Sequence, residues 1–105
     1  MSELPDMPEQ IVIKMGMVKK SRPPIEIAYV DPEGDVEAAI GAIWCEVLHL
    51  ANVGRDDNLF DLGGDSLHMI MIASRIRSRL ESEISFGDFL DNPTVRGLAE
   101  FVQRA

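Results

Sequence analysis

From Asp35 onward, apolar residues recur with the spacing of a helix. Val36, Ile40, Ile43, Val47 and Leu50 fall at i, i+4, i+7, i+11 and i+14, one face of a helix over residues 35–50. Asp35 and Glu37 stand in its first turn, where the positive end of the helix dipole favours them. Trp44 and Leu48 widen the stripe, and Cys45 falls on the side opposite Val36. A second pattern starts at Ser66 and runs to about Leu80, with Asp65 or Ser66 available as N-cap. Met69, Ile70, Ile72, Ala73, Ile76 and Leu80 occupy its core-facing arc, while His68, Arg75 and Arg79 lie on the far side. Leu67 and Met71, an i, i+4 pair, fall outside that arc and are expected to be partly exposed. A glutamate at Ile70 should therefore unfold the protein, and one at Met71 should not. The run SFGDFLDNP allows at most one helical turn before Pro93. A last helix over about 95–103, capped by Thr94, turns Val95, Leu98, Ala99 and Val102 inward with Phe101 at its edge. The predicted fold is all-α, a small bundle of three principal helices plus one short helix, with a long first crossover.

The segments outside these helices differ in kind. Residues 1–34 hold five of the six prolines, which break any helix of useful length and predict an extended, flexible Pro-rich arm. Within it, the apolar patch from Gln10 to Val18 reads as disordered, as a short strand or as a peptide that docks on a partner. Residues 1 to about 30 are expected to be dispensable for folding. Residues 35–105 form the domain itself. The connection between the first two helices, ANVGRDDNLFDLGGD, is too rich in Gly, Asp and Asn for regular structure, yet Val53, Leu59, Phe60 and Leu62 should pin it to the core.

Composition narrows the possible functions. In 105 residues, 18 Asp and Glu stand against 10 Lys and Arg, a formal charge of −8. That balance argues against nucleic acid or anionic lipid as partner. Six aromatic residues are too few for base-stacking platforms. Apolar runs fall short of the ~18 residues needed to span a bilayer, and the N-terminus has no signal-peptide pattern. The chain therefore reads as a cytoplasmic monomer. The single cysteine, Cys45, cannot form an internal disulfide, and two scattered histidines give no metal-ligand spacing. Cys45, His49 and His68 are read as ordinary structural or surface residues.

Candidate chemistry is concentrated in NLFDLGGDSL, residues 58–67. Gly63 and Gly64 remove side chains just before a serine at a helix start, so the backbone can take positive φ and another protein can approach Ser66 closely. A phosphodiester on that hydroxyl would lie against the free N–H groups of the first turn and the positive end of the dipole. An external enzyme would activate the hydroxyl, so the chain needs no base of its own. The alternative at this point is that Ser66 only caps the helix.

The segment Leu59-Phe60-Asp61-Leu62-Gly63-Gly64-Asp65-Ser66-Leu67 resembles the phosphopantetheine attachment motif of carrier proteins. Ile43-Trp44-Cys45-Glu46-Val47-Leu48 and Phe89-Leu90-Asp91-Asn92-Pro93-Thr94-Val95, with Leu98-Ala99, extend the resemblance over residues 35–103. The set is similar to the peptidyl carrier (thiolation) proteins of nonribosomal peptide synthesis, because acyl carriers of fatty-acid type have a strongly acidic second helix where this chain has Arg75, Arg77 and Arg79. Asp65 before the serine is also common in acyl carriers, so the acyl type stays open. The resemblance implies an acyl-carrier-protein-like fold and a non-catalytic shuttle. Ser66 would bear 4'-phosphopantetheine, with Gly63, Gly64, Asp65 and Leu67 around it; Leu67 and Met71, left exposed beside that site, read as a docking patch for partners. The implied partners are a phosphopantetheinyl transferase, an adenylation enzyme and condensation, tailoring or thioesterase enzymes.

Two rival readings belong beside this one. Gly64-Asp65-Ser66-Leu67 spells the signature of the GDSL esterases, but their serine follows a parallel strand in a much larger domain. His68 also points away from Ser66 on the same helix and cannot serve as its base. An acidic helical adaptor without a covalent cofactor is the third class. The initial methionine favours a freestanding protein, whereas the Pro-rich arm resembles the linkers that precede carrier domains.

Overall fold

The computed structural model describes residues 19–104, and the patch at Gln10 to Val18 lies outside them. Four helices follow in order: α1 Gly34–Leu48, α2 Ser66–Leu80, α3 Phe86–Asp91 and α4 Val95–Arg104. Three principal helices and one short one match the expected architecture. At six residues, α3 is longer than the single turn expected, because Ser85 and Asp88 cap it reciprocally: each side chain accepts from the other's backbone N–H at 3.1 Å.

α1 is the central element. It packs against both α2 and α4, and α3 closes the bundle against α2. Ile40, Ile43, Trp44 and Val47 meet Met69, Ile72 and Ile76 of α2 and Val95, Leu98 and Ala99 of α4, all buried. Trp44 stacks on Phe89 of α3, with ring centroids 6.2 Å apart, so the shortest helix is held by the largest side chain. α1 ends two residues before the predicted stop. His49 takes a left-handed conformation, φ 57°, and its N–H bonds to the Cys45 carbonyl, after which Leu50 still reaches the core. Thr94 caps α4 as expected, its Oγ1 accepting from Gly97 N at 3.0 Å.

The segment ahead of α1 departs from expectation. Residues 19–33 are extended, as the prolines require, but they are fastened to the bundle. Lys20 forms a parallel bridge with Leu50, giving N–H to the His49 carbonyl at 2.9 Å and accepting from Ala51 N at 2.7 Å. Ile25 packs on the core, and Pro32 lies against Gly41 of α1. These contacts begin at Lys20, within the residues expected to be dispensable for folding. Cys45 is corrected, being half-buried against the core where a far-side position was expected. Burial pushes its thiol pKa up, against the opposing charge of Lys19.

Candidate functional site

Ser66 is the first residue of α2, and the cap belongs to its neighbour. Asp65 has extended backbone, and its Oδ1 accepts from His68 N at 3.1 Å while His68 Nδ1 accepts from Asp65 N at 3.1 Å. This is a capping box with histidine in the place usually taken by glutamate. Of the two candidate caps the fold uses Asp65, so the Ser66 hydroxyl is exposed and outside the cap. The reading of Ser66 as only a helix cap is thereby set aside. His68, expected to be a solvated surface residue, is half-buried and committed to the cap.

The two glycines before the site have different tasks. Gly63 has φ +92°, in the region that side chains disfavour, with open space where a Cβ would stand. Gly64 has no such φ, but a Cβ there would lie 2.6 Å from Leu59 Cγ and 3.0 Å from the Leu59 carbonyl oxygen. Gly64 N donates to that same carbonyl at 2.9 Å, so the chain turns directly over Leu59. Leu59 is fully buried and Leu62 and Val53 nearly so, which makes them the expected anchors of the connection. Phe60 was expected to join them and instead stands 44% exposed.

Below the turn, residues 54–59 tie together parts of the chain distant in sequence. Asp57 has no exposed surface. Its carboxylate accepts from Arg22 Nε at 2.7 Å, Arg22 Nη2 at 2.8 Å and Gly54 N at 2.8 Å. Arg55 donates from Nε to Glu37 Oε1 at 2.8 Å, and this bond holds the Glu37 carboxyl below its usual pKa against the opposing effect of burial. Arg55 N reaches the Val30 carbonyl, Arg96 N reaches the Arg55 carbonyl, and Leu59 N reaches the Pro93 carbonyl, at 2.8–2.9 Å.

An apolar surface surrounds the serine. Leu67 is 63% exposed, and Met71, as expected, is also exposed. Ile70 overturns its assignment to the core arc: it is 61% exposed, because the covered face of α2 is the narrow strip of Met69, Ile72 and Ile76. Ile70 lies at i+4 from Ser66 and therefore shares the serine's face, a signal already present in the spacing. Phe86 and Leu90 of α3 are exposed as well. On the other flank, Arg79 is not simply solvated. Its Nη1 and Nη2 grip Glu46 of α1 at 2.8 Å each, lowering the Glu46 pKa.

A family model described as phosphopantetheine attachment site matches residues 38–102. The dimodular nonribosomal peptide synthase of Bacillus subtilis (strain 168) is 48% identical over 69 residues, which is 66% of this chain and 3% of that protein. Among solved structures, a peptidyl carrier protein in complex with the phosphopantetheine transferase Sfp and coenzyme A matches with TM-score 0.71 and 30% identity, over 73% of this chain and 100% of that one. The structure of McyG A-PCP complexed with phenylalanyl-adenylate matches with TM-score 0.68 and 38% identity, over 70% of this chain and 12% of that one. The chain spans 1–3% of the length of curated relatives it matches. A motif turned over Leu59 and a bundle matched along a whole carrier domain lead to one assignment: the chain belongs to the phosphopantetheine attachment site family, among the peptidyl carrier (thiolation) domains of nonribosomal peptide synthesis.

Proposed function

We propose that Ser66 is the attachment residue, and that the chain carries aminoacyl or peptidyl groups between enzymes of nonribosomal peptide or hybrid polyketide biosynthesis without catalysing a step itself. The observation that carries this is the division of labour at the start of α2, where Asp65 caps the helix and leaves the Ser66 hydroxyl exposed. The residues fit a phosphodiester. N–H groups of the first turn outside the cap face that end of the helix, and Gly63, with open space where a Cβ would stand, keeps its part of the approach clear of a side chain. In the transfer, Ser66 Oγ attacks the phosphorus of coenzyme A that bears the pantetheine. The phosphoanhydride bond breaks, adenosine 3',5'-bisphosphate leaves, and a base on the transferase takes the hydroxyl proton. Once attached, the arm supplies a terminal thiol that holds the carried group as a thioester.

The carrier unit in this reading is residues 35–105, with residues 1–34 as the segment leading into it. The similar structures containing a transferase and an adenylation partner support those two as the enzymes that modify and load the chain. Condensation, tailoring or thioesterase enzymes would receive the cargo. Leu67, Ile70 and Met71 form the apolar surface beside Ser66 that such partners would meet. Among the described residues no helix is long and apolar enough to cross a membrane. A serine hydrolase finds no support, since His68 Nδ1 is occupied by Asp65 N.

The test is intact-mass measurement after mixing the protein with coenzyme A and a broad-specificity transferase. One phosphopantetheinyl group should be added to the wild type and none to Ser66→Ala. Modification of Ser66→Ala to the same extent would overturn the assignment.

A further inference from the structure

The Asp57 carboxylate is buried deep in the connection between α1 and α2, and among the described residues its only charged hydrogen-bond partner comes from the extended segment ahead of the bundle. Arg22 grips it with two donors, and Arg22 is itself fixed from other sides. Its Nη2 also donates to the Ile27 carbonyl at 2.8 Å, and its guanidinium lies 5.4 Å from the centre of the Tyr29 ring. The packing leaves no slack at Gly54, where a Cβ would stand 3.1 Å from Tyr29 Cδ1 and 3.2 Å from both Asp57 oxygens. Two residues beyond Asp57 is Leu59, on which Gly64 rests and whose carbonyl receives the Gly64 N–H. Arg22 thus holds Asp57, two residues of backbone join Asp57 to Leu59, and Leu59 supports the turn that presents Ser66.

We propose that Arg22 is a positioning residue for the Ser66 site: by clamping Asp57 it holds residues 54–65 in the shape a transferase recognises. This rests on the reading of Ser66 as the attachment residue. Without the guanidinium, Asp57 keeps one backbone donor among the described residues, Gly54 N, and a buried charge deprived of its partner is strongly unfavourable. Residues 54–59 relieve that by opening toward water, and the Leu59 platform shifts with them. The helices of the bundle keep their own contacts, since their packing does not pass through Arg22. The segment upstream of the domain thus becomes a working part of the modification site.

The experiment compares Arg22→Gln and Arg22→Lys with wild type in the full chain, reading amide hydrogen exchange and the kinetics of coenzyme A-dependent mass gain. In Arg22→Gln, exchange at residues 54–65 should accelerate by about tenfold or more relative to α1 and α4, the scale expected for losing charged hydrogen bonds. The transferase kcat/KM should fall in parallel. Arg22→Lys keeps the charge without the two-pronged grip and should lie between. Uniform acceleration over the whole bundle, or unchanged exchange and kinetics, would overturn the proposal. If Arg22→Gln fails to fold, Arg22→Lys carries the same comparison. Absence of mass gain in the wild type would defeat the Ser66 reading alone, because the exchange measurement still decides whether Arg22 orders the connection.

Discussion

Gly63 and Gly64 are adjacent and chemically identical, yet substitution should separate them. Alanine at Gly63 meets open space and pays only for a positive φ, about 1–2 kcal/mol. Alanine at Gly64 drives its Cβ into Leu59, whose carbonyl is part of the backbone and whose side chain is fully buried. Overpacking of this kind costs about 1–3 kcal/mol, and the strain falls where Ser66 is presented. Gly64→Ala should therefore slow phosphopantetheine transfer well beyond its effect on melting temperature, while Gly63→Ala should act mainly through stability. Equal transfer rates in the two variants would show that the turn tolerates the displacement. A Gly-Gly pair before the serine was legible in the sequence. Which glycine answers to conformation and which to space was not, because the answer depends on a leucine brought back beneath the turn.

At the scale of elements, the helices themselves follow from apolar spacing, and the burial of Ile40, Ile43, Val47, Ile72, Ile76 and Leu98 agrees with it. Ile70 marks where spacing runs out. An apolar residue faces the core only if another element covers it, and six-residue α3 leaves Ile70 open. The Arg79–Glu46 pair has the same origin, joining residues 33 apart on different helices that no local pattern relates. Ile70→Glu should then change stability by no more than about 0.5 kcal/mol, as a surface substitution does. Ile72→Glu places a charge at a site with no exposed surface and should unfold a domain whose total stability is of order 5–15 kcal/mol. Chemical denaturation distinguishes them, and loss of folding in Ile70→Glu would restore it to the core.

For the whole molecule, the segment before α1 changes what counts as the domain. A chain beginning at Pro32 lacks Arg22, the Lys20–Leu50 bridge and Ile25, and it leaves Asp57 buried without its cation. We expect the lost Ile25 packing and bridge hydrogen bonds to cost roughly 3 kcal/mol, which in a domain of this size lowers the melting temperature by about ten degrees or more. A melting temperature equal to that of the full chain would show that water replaces those contacts freely. Proline density made an extended course legible, but the destination of Arg22 depends on a carboxylate 35 residues away. The cap made by Asp65 has a consequence of another kind. Because the Ser66 oxygen takes no part in starting α2, a group joined to it displaces none of the hydrogen bonds that begin the helix, and a phosphodiester there adds its attraction to the first-turn N–H groups. The blank and the charged forms should then share one fold, with none of the contacts that begin α2 given up when the serine is filled.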